Sequence, residues 1–151
     1  MIKEITQSDL QKALNLVNGV FDEFVAVDYS EQGRQTFENY LKTKYEETAA
    51  ALADGSKKFW GFYQDGEILG VIAVRNVSHI SMLFVDKKHH GKGIAKRLFH
   101  FLLDYLKDAK QITVNSSPYA VKIYERLGFS ATTEQQEKDG LLFTPMIYRL
   151  D

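Results

Sequence analysis

The residues best suited to chemistry lie in one run, Lys87-Lys88-His89-His90-Gly91-Lys92-Gly93-Ile94-Ala95. Gly91 and Gly93 let the backbone turn tightly and approach a ligand closely. Ala95 is small for the same reason. A helix that starts here leaves the N–H groups of its first turn without partners. Those donors and the positive end of the helix dipole suit a diphosphate. Lys87, Lys88 and Lys92 add charge that can meet further phosphates. Gly-Lys-Gly alone does not decide the matter, because solvated lysines at a helix start would read the same way. The Walker pattern is absent, and Lys96 stands where the dinucleotide fingerprint GxGxxG needs its third glycine. A nucleotide-dependent transferase is therefore disfavoured.

A phosphate loop needs a strand before it and a helix behind it. The run HISMLFVD at 79–86 supplies the strand, and residues 91–107 supply an amphipathic helix. Its expected buried stripe is Ile94, Leu98, Phe101, Leu102 and Tyr105, with Lys96, Arg97, His100 and Asp104 toward water. Upstream, residues 2–6 alternate as a short strand. Ser8 is placed to cap a helix over 8–22, and Phe37, Leu41, Tyr45 and Ala49 mark a second helix over 31–53. KKFWGFYQ and EILGVIAVR flank Asp65-Gly66, a hairpin signal. QITVNS follows the long helix as a strand. Ser117-Pro118 opens a helix that closes at Gly128. FSATTEQQEKDG and LLFTPMIYRL give the last strands around Asp139-Gly140, and Pro145 places the final strand near an edge or at a local break. The order is β-α-α-β-β-β-α-β-α-β-β. It predicts an α/β (mixed α+β) fold in one domain over 1–151, with a mixed, mostly antiparallel sheet of about seven strands flanked by about four helices. Three consecutive central strands do not fit a doubly wound nucleotide fold.

Composition narrows the partners. At 151 residues the chain can bury one core. A net charge of -1 gives no global attraction to nucleic acid or anionic membrane. The absence of cysteine removes thiol catalysis and disulfides. No apolar run reaches membrane-spanning length and no secretory leader is visible, so a soluble cytoplasmic protein is expected. The four histidines are separated by loop and helix, without metal-ligand spacing, so no metal is expected.

Two segments resemble the GCN5-related N-acetyltransferases. VDKKHHGKGIAKRLF is similar to that family's acetyl-CoA-binding motif. NSSPYAVKIYERLGF is similar to its second landmark, an asparagine at a strand end followed by a helix that carries a tyrosine and closes in LGF. The segments occur in the family's order and spacing, and the element order resembles its fold over nearly the whole chain. The resemblance implies acetyl-CoA as cosubstrate. Its pyrophosphate motif falls on His90, Gly91, Lys92, Gly93, Ile94 and Ala95, with Lys96 next on the helix. Histidine replaces the usual glutamine or arginine at 90, which puts the side-chain contact to phosphate in doubt. The resemblance further implies that Met82, Leu83, Phe84 and Val85 line the pantetheine arm where their strand splays from 111–115. Asn115 would contact that arm. Tyr124 would bring its hydroxyl to the CoA sulfur and donate a proton or a hydrogen bond, and an N–H near Leu83 or Phe84 would polarise the thioester carbonyl.

The base is less defined. An attacking amine must be neutral, and His79 has a reference pKa suited to taking its proton. With regular alternation, His79 and Ser81 face one side of the strand, and Ile80 and Met82 the other. Glu23, Asp28 and Glu31 are alternative bases or recognition carboxylates, with Phe24 and Tyr29 as candidate acceptor walls. Trp60, Tyr63, Glu137, Asp139 and Tyr148 are further wall candidates. The expected activity is direct acetyl transfer to an amine of a small molecule or peptide, by a monomer or homodimer. The alternative is an acetyl-CoA-binding sensor with little turnover.

Overall fold

Three apolar runs in the middle of the chain pair as an antiparallel meander: β2 (Lys57–Gln64), β3 (Glu67–Arg75) and β4 (His79–Val85). In the computed structural model, residues 1–25, 27 and 29–150 are described, without the side chains of Phe24, Leu41, Lys42 and Lys44. Asp65 and Gly66 both have positive φ, 52° and 79°, the geometry an Asp-Gly hairpin turn requires. β1 (Ile2–Glu4) extends one edge beside β2. On the other side β4 meets β5 (Gln111–Ser116) in parallel, and β5 pairs antiparallel with β8 (Leu141–Arg149). β6 (Ser130–Ala131) and β7 (Gln136–Lys138) are short additions to β8. The sheet thus has eight strands and is mixed but mostly antiparallel. The stretch 129–140, read from sequence as one strand, breaks into β6 and β7.

Helices cover both faces, so the central strands are apolar throughout instead of alternating. On one face lie α1 (Gln7–Val20) and α2 (Glu31–Asp54), joined through a wider π turn at Phe21–Val25. Leu10, Ala13, Leu14 and Val17 of α1 pack there with Phe59, Val71, Ala73 and Met82. On the other face α3 (Ile94–Tyr105) and α4 (Val121–Leu127) close a larger core with Ile72, Val74, Ile80 and Ile112. The buried stripe of α3 is Ile94, Leu98, Phe99 and Leu102; Phe101 is half-buried and Tyr105 exposed. Phe99 is buried in place of Tyr105 because it packs, tilted and edge-on, into an aromatic cluster with Phe129 and Tyr148, whereas Tyr105 lies edge-on to Trp60 at the rim. No described helix is long and apolar enough to cross a membrane.

Other local expectations shift as well. Thr6, not Ser8, is the N-cap of α1; Ser8 lies in its first turn and its hydroxyl pairs with that of Thr6 at 2.8 Å. Ser117-Pro118 forms a turn that precedes α4, with Ser117 accepting from the Ala120 N–H. Pro145 lies in β8, between the stretch paired with β7 (Leu141–Phe143) and the stretch paired with the two-residue β6 (Met146 and Ile147).

Regular alternation fails in β4. Ala73 pairs with Met82 and Val74 with Ile80, so Ser81 is an extra residue in the ladder. Such a bulge reverses the inside–outside sense of the strand. Ile80 accordingly enters the α3 core, while Met82 enters the α1 core. The expectation that Ile80 and Met82 share a face is therefore overturned.

Candidate active site

The parallel pairing of β4 and β5 covers only His79 with Thr113 and Ile80 with Val114. Beyond it the strands diverge, because β4 continues along β3 to Val85 while β5 continues along β8 to Ser116. A cleft of about 720 Å³ opens in the gap. Met82, Leu83, Phe84 and Val85 form one wall, and Asn115, Ser116 and Ser117 the other. Gly91, Gly93, Ile94 and Ala95 lie at one end, and Tyr124 comes in from α4.

The glycine loop is held open by backbone geometry. Gly91 and Gly93 have φ of 79° and 77°, yet a Cβ on either would meet no atom within 4 Å. The glycines are therefore needed for a left-handed backbone and not to relieve crowding. Gly93 is the N-cap of α3 and brings no side-chain cap, so the first-turn N–H groups are not closed off by a side chain. His90 folds its ring back: Nε2 donates to the Val85 carbonyl at 2.7 Å. The ring pins the loop to the end of β4, and that nitrogen is not directed to a phosphate. Lys92 and Lys96 are exposed and do not line the cleft.

Tyr124 is buried, 5% exposed, with its ring edge-on to Phe129. Its hydroxyl makes no hydrogen bond among the described residues, and burial raises its pKa well above the ordinary phenol value. His79 lies at the vertex of the splay. Its Nδ1 is 2.8 Å from the Thr113 hydroxyl, and the other ring nitrogen has no hydrogen bond among the described residues. Burial first, and then the charge of Arg75, hold its pKa below the ordinary value. Arg75 and His79 are cross-strand partners. Thr113 and Arg75 were invisible as site residues in the sequence, since neither lies in a motif and only strand register brings them to His79.

The expected acceptor residues divide. Tyr29 lines the cleft and donates to the Leu142 carbonyl at 3.1 Å. Glu23 instead pairs with Lys87 at 3.1 Å. Glu31 lies on a separate shallow depression with Arg34, Gln35 and Glu38. Asp28 and the Phe24 side chain lie outside the described residues. Trp60 is core, Tyr63 donates to Asp9 at 2.8 Å, and Tyr148 packs on Phe99. Glu137 and Asp139 are exposed and line no part of the cleft. Phe21, Phe37 and Tyr40 supply the aromatic wall that the sequence did not mark. Among the described residues no group of three or more acidic or histidine side chains could hold a metal.

The cleft also has the polar character that a coenzyme arm requires. Ser81 Oγ and His89 Nδ1 are buried without partners among the described residues, and both residues line it. The Asn115 side chain is unpartnered among the described residues. Buried polar atoms are rarely left unpaired, so Ser81 and His89 fit a ligand with amide and phosphate groups, and Asn115 offers an exposed amide at the cleft wall.

Comparisons with known proteins agree with this geometry. A family model described as an acetyltransferase (GNAT) domain matches residues 25–150. UPF0157 protein YqkA of Bacillus subtilis is 32% identical over 95 residues, covering 58% of this chain and 27% of that protein. N-acetylaspartate synthetase of Xenopus tropicalis is 32% identical over 81 residues, covering 47% of this chain and 30% of that one. The chain thus spans less than a third of either relative's length. Among solved structures, a GCN5-related N-acetyltransferase from Rhodopseudomonas palustris superposes with TM-score 0.81 at 22% identity, over 99% of this chain and 95% of that one. The PaiA N-acetyltransferase of Thermoplasma acidophilum, solved with coenzyme A, gives 0.79 at 16% identity, over 99% and 98%. These two likenesses establish the shared fold. The matched family model takes in the splayed strands, the glycine loop and the Tyr124 helix, and the chain belongs to the GNAT acetyltransferase family.

Proposed function

We propose that this chain is an acetyl-CoA-dependent N-acetyltransferase acting on an amine by direct attack. The observation that carries the reading is the continuity of one cleft from the open glycine loop, through the β4–β5 splay, to His79 and Tyr124. Bound acetyl-CoA supplies the activated acetyl thioester. The N–H groups around Gly91, Gly93, Ile94 and Ala95 receive the pyrophosphate, with Lys92 and Lys96 reaching in from the rim. Met82, Leu83, Phe84 and Val85 offer backbone groups along the pantetheine arm, and Asn115 its side-chain amide. His90 acts through the loop by fixing it to Val85.

His79 accepts the amine proton on Nε2, while its Nδ1–H donates to Thr113 Oγ1. Tyr124 keeps its proton, since burial has raised its pKa. A thiol's reference pKa lies near 8.5, so a full proton transfer from this phenol to a thiolate runs uphill. Tyr124 therefore donates a hydrogen bond toward the sulfur as negative charge develops. Ala95 and Lys96 lie in the first turn of α3, directly after the loop, and the small Ala95 keeps the helix end close to the ligand.

The reading includes one acetyltransferase domain across 1–151, as a monomer or homodimer. Its support is the single sheet that runs from β1 to β8. A cytoplasmic setting goes with it as part of the proposal. The test is thiol release from acetyl-CoA against a broad amine panel, paired with thermal shift. We expect acetyl-CoA to raise Tm more than ATP or NAD does, and at least one amine to release CoA. Stabilisation by ATP with none by acetyl-CoA would sink the proposal.

A further inference from the structure

The acceptor half of the cleft has an unusual balance of groups. Its walls are aromatic: Phe21 stacks on Phe37 at 3.7 Å and lies edge-on to Tyr29 at 5.4 Å, with Tyr40 beyond. Phe84 packs against the same cluster from β4. Among the described residues, no carboxylate lines the cleft. Glu23 is engaged by Lys87, and Glu31 lies on a different depression. Three cations line the cleft, Arg75 from β3 and Lys122 and Arg126 from α4; Arg75, the one beside His79, forms no ion pair among the described residues.

Strand register fixes where Arg75 points. Val71 and Ala73 of β3 belong to the α1 core, while Ile72 and Val74 belong to the α3 core. Alternation puts Arg75 on the α1 side. His79 is its direct cross-strand partner and precedes Ile80, which faces the α3 side. Side chains of such a pair start about 5 Å apart. A cation and a proton acceptor therefore stand side by side at the vertex of the splay, in the cleft that also carries the aromatic wall.

We propose that the acceptor is a monoamine with a carboxylate close to its nitrogen and an apolar or aromatic body, which is the chemistry of a free apolar α-amino acid. The amine meets His79, the carboxylate pairs with Arg75, and the body lies against Phe37, Tyr40 and Phe84. A polycation is disfavoured because the cleft offers it Arg75, Lys122 and Arg126 and, among the described residues, no compensating carboxylate. This rests on the acetyltransferase reading and names its substrate class.

The test uses the full chain at about pH 8, where a histidine is neutral. CoA release is measured with L-phenylalanine, L-leucine, phenethylamine and spermidine, and acetyl-CoA binding is followed separately by thermal shift. L-Phenylalanine or L-leucine should give the highest kcat/KM, and spermidine the lowest. Arg75→Gln should raise the KM for L-phenylalanine about tenfold to a hundredfold, and that for phenethylamine far less, with the acetyl-CoA thermal shift retained. Faster turnover of spermidine, an equal effect of Arg75→Gln on both monoamines, or acetyl-CoA binding with no turnover of either amino acid would overturn the inference while leaving the acetyltransferase reading intact. Absence of any acetyl-CoA thermal shift would overturn that reading and this inference with it.

Discussion

In its proposed role as base, His79 is useful only while neutral. Burial and Arg75 both depress its pKa, so it stays neutral to more acidic pH than a free histidine does. The acidic limb of kcat/KM should therefore fall below the ordinary histidine value of 6.5. Arg75→Gln removes the second of the two causes and should move that limb upward; a limb unmoved by the change would separate Arg75 from His79. Thr113→Val removes the hydroxyl that holds Nδ1 and should lower kcat without altering acetyl-CoA affinity. Rescue by Thr113→Ser would distinguish a positioning hydroxyl from simple packing. Tyr124→Phe keeps the ring against Phe129 and removes only the unpartnered oxygen. It should lower kcat by about tenfold or more and leave stability and the KM for acetyl-CoA nearly unchanged. Equal kcat in the two proteins would remove Tyr124 from the chemistry.

Two backbone devices matter among the elements. The glycine loop depends on left-handed residues, so Gly93→Ala should cost about 1–2 kcal/mol of local conformational energy. No neighbouring atom would oppose the new methyl. The cost should thus appear as weaker acetyl-CoA binding by titration calorimetry, with the fold retained. The second device is the docking of the β7–β8 hairpin on α2. A Cβ on Gly33 would strike the Gly140 carbonyl, and Thr36 donates to the Asp139 carbonyl at 3.0 Å. This contact brings Leu141 and the Tyr29 anchor to the acceptor end of the cleft. Gly33→Ala should push the hairpin away. We expect a raised acceptor KM with acetyl-CoA binding preserved, read from steady-state kinetics and thermal shift.

The whole molecule relies on the sheet being covered on both faces, and α3 is the main lid of the larger core. Leu98 is fully buried there, against Gly70, where a Cβ would come within 3.2 Å of its Cδ1. Leu98→Ala should destabilise the fold by about 2–5 kcal/mol, measurable by chemical denaturation; a smaller loss would mean that the core relaxes around the gap. Much of this architecture was legible in the sequence. Apolar periodicity marked the meander and the two long early helices, Asp65-Gly66 marked the first hairpin, and Gly91-Lys92-Gly93 with the Asn115 to Gly128 segment marked the proposed donor site. Local chemistry determines such features: left-handed turns demand glycine, helix faces repeat, and strands begin where branched and aromatic residues cluster. The acceptor site was not legible in the same way. The extra residue Ser81 turns Met82 to the opposite face from Ile80, register alone sets Arg75 and Thr113 beside His79, and the fold carries Phe21, Phe37 and Tyr40 from a distant part of the chain to face β4. His90 bonds backward to Val85 because the loop curls over the end of its own strand. The sequence by itself determined the strand–loop–helix unit proposed to hold the donor, since its residues are neighbours along the chain. Only the tertiary structure decided the acceptor side, since its residues become neighbours through pairing and packing.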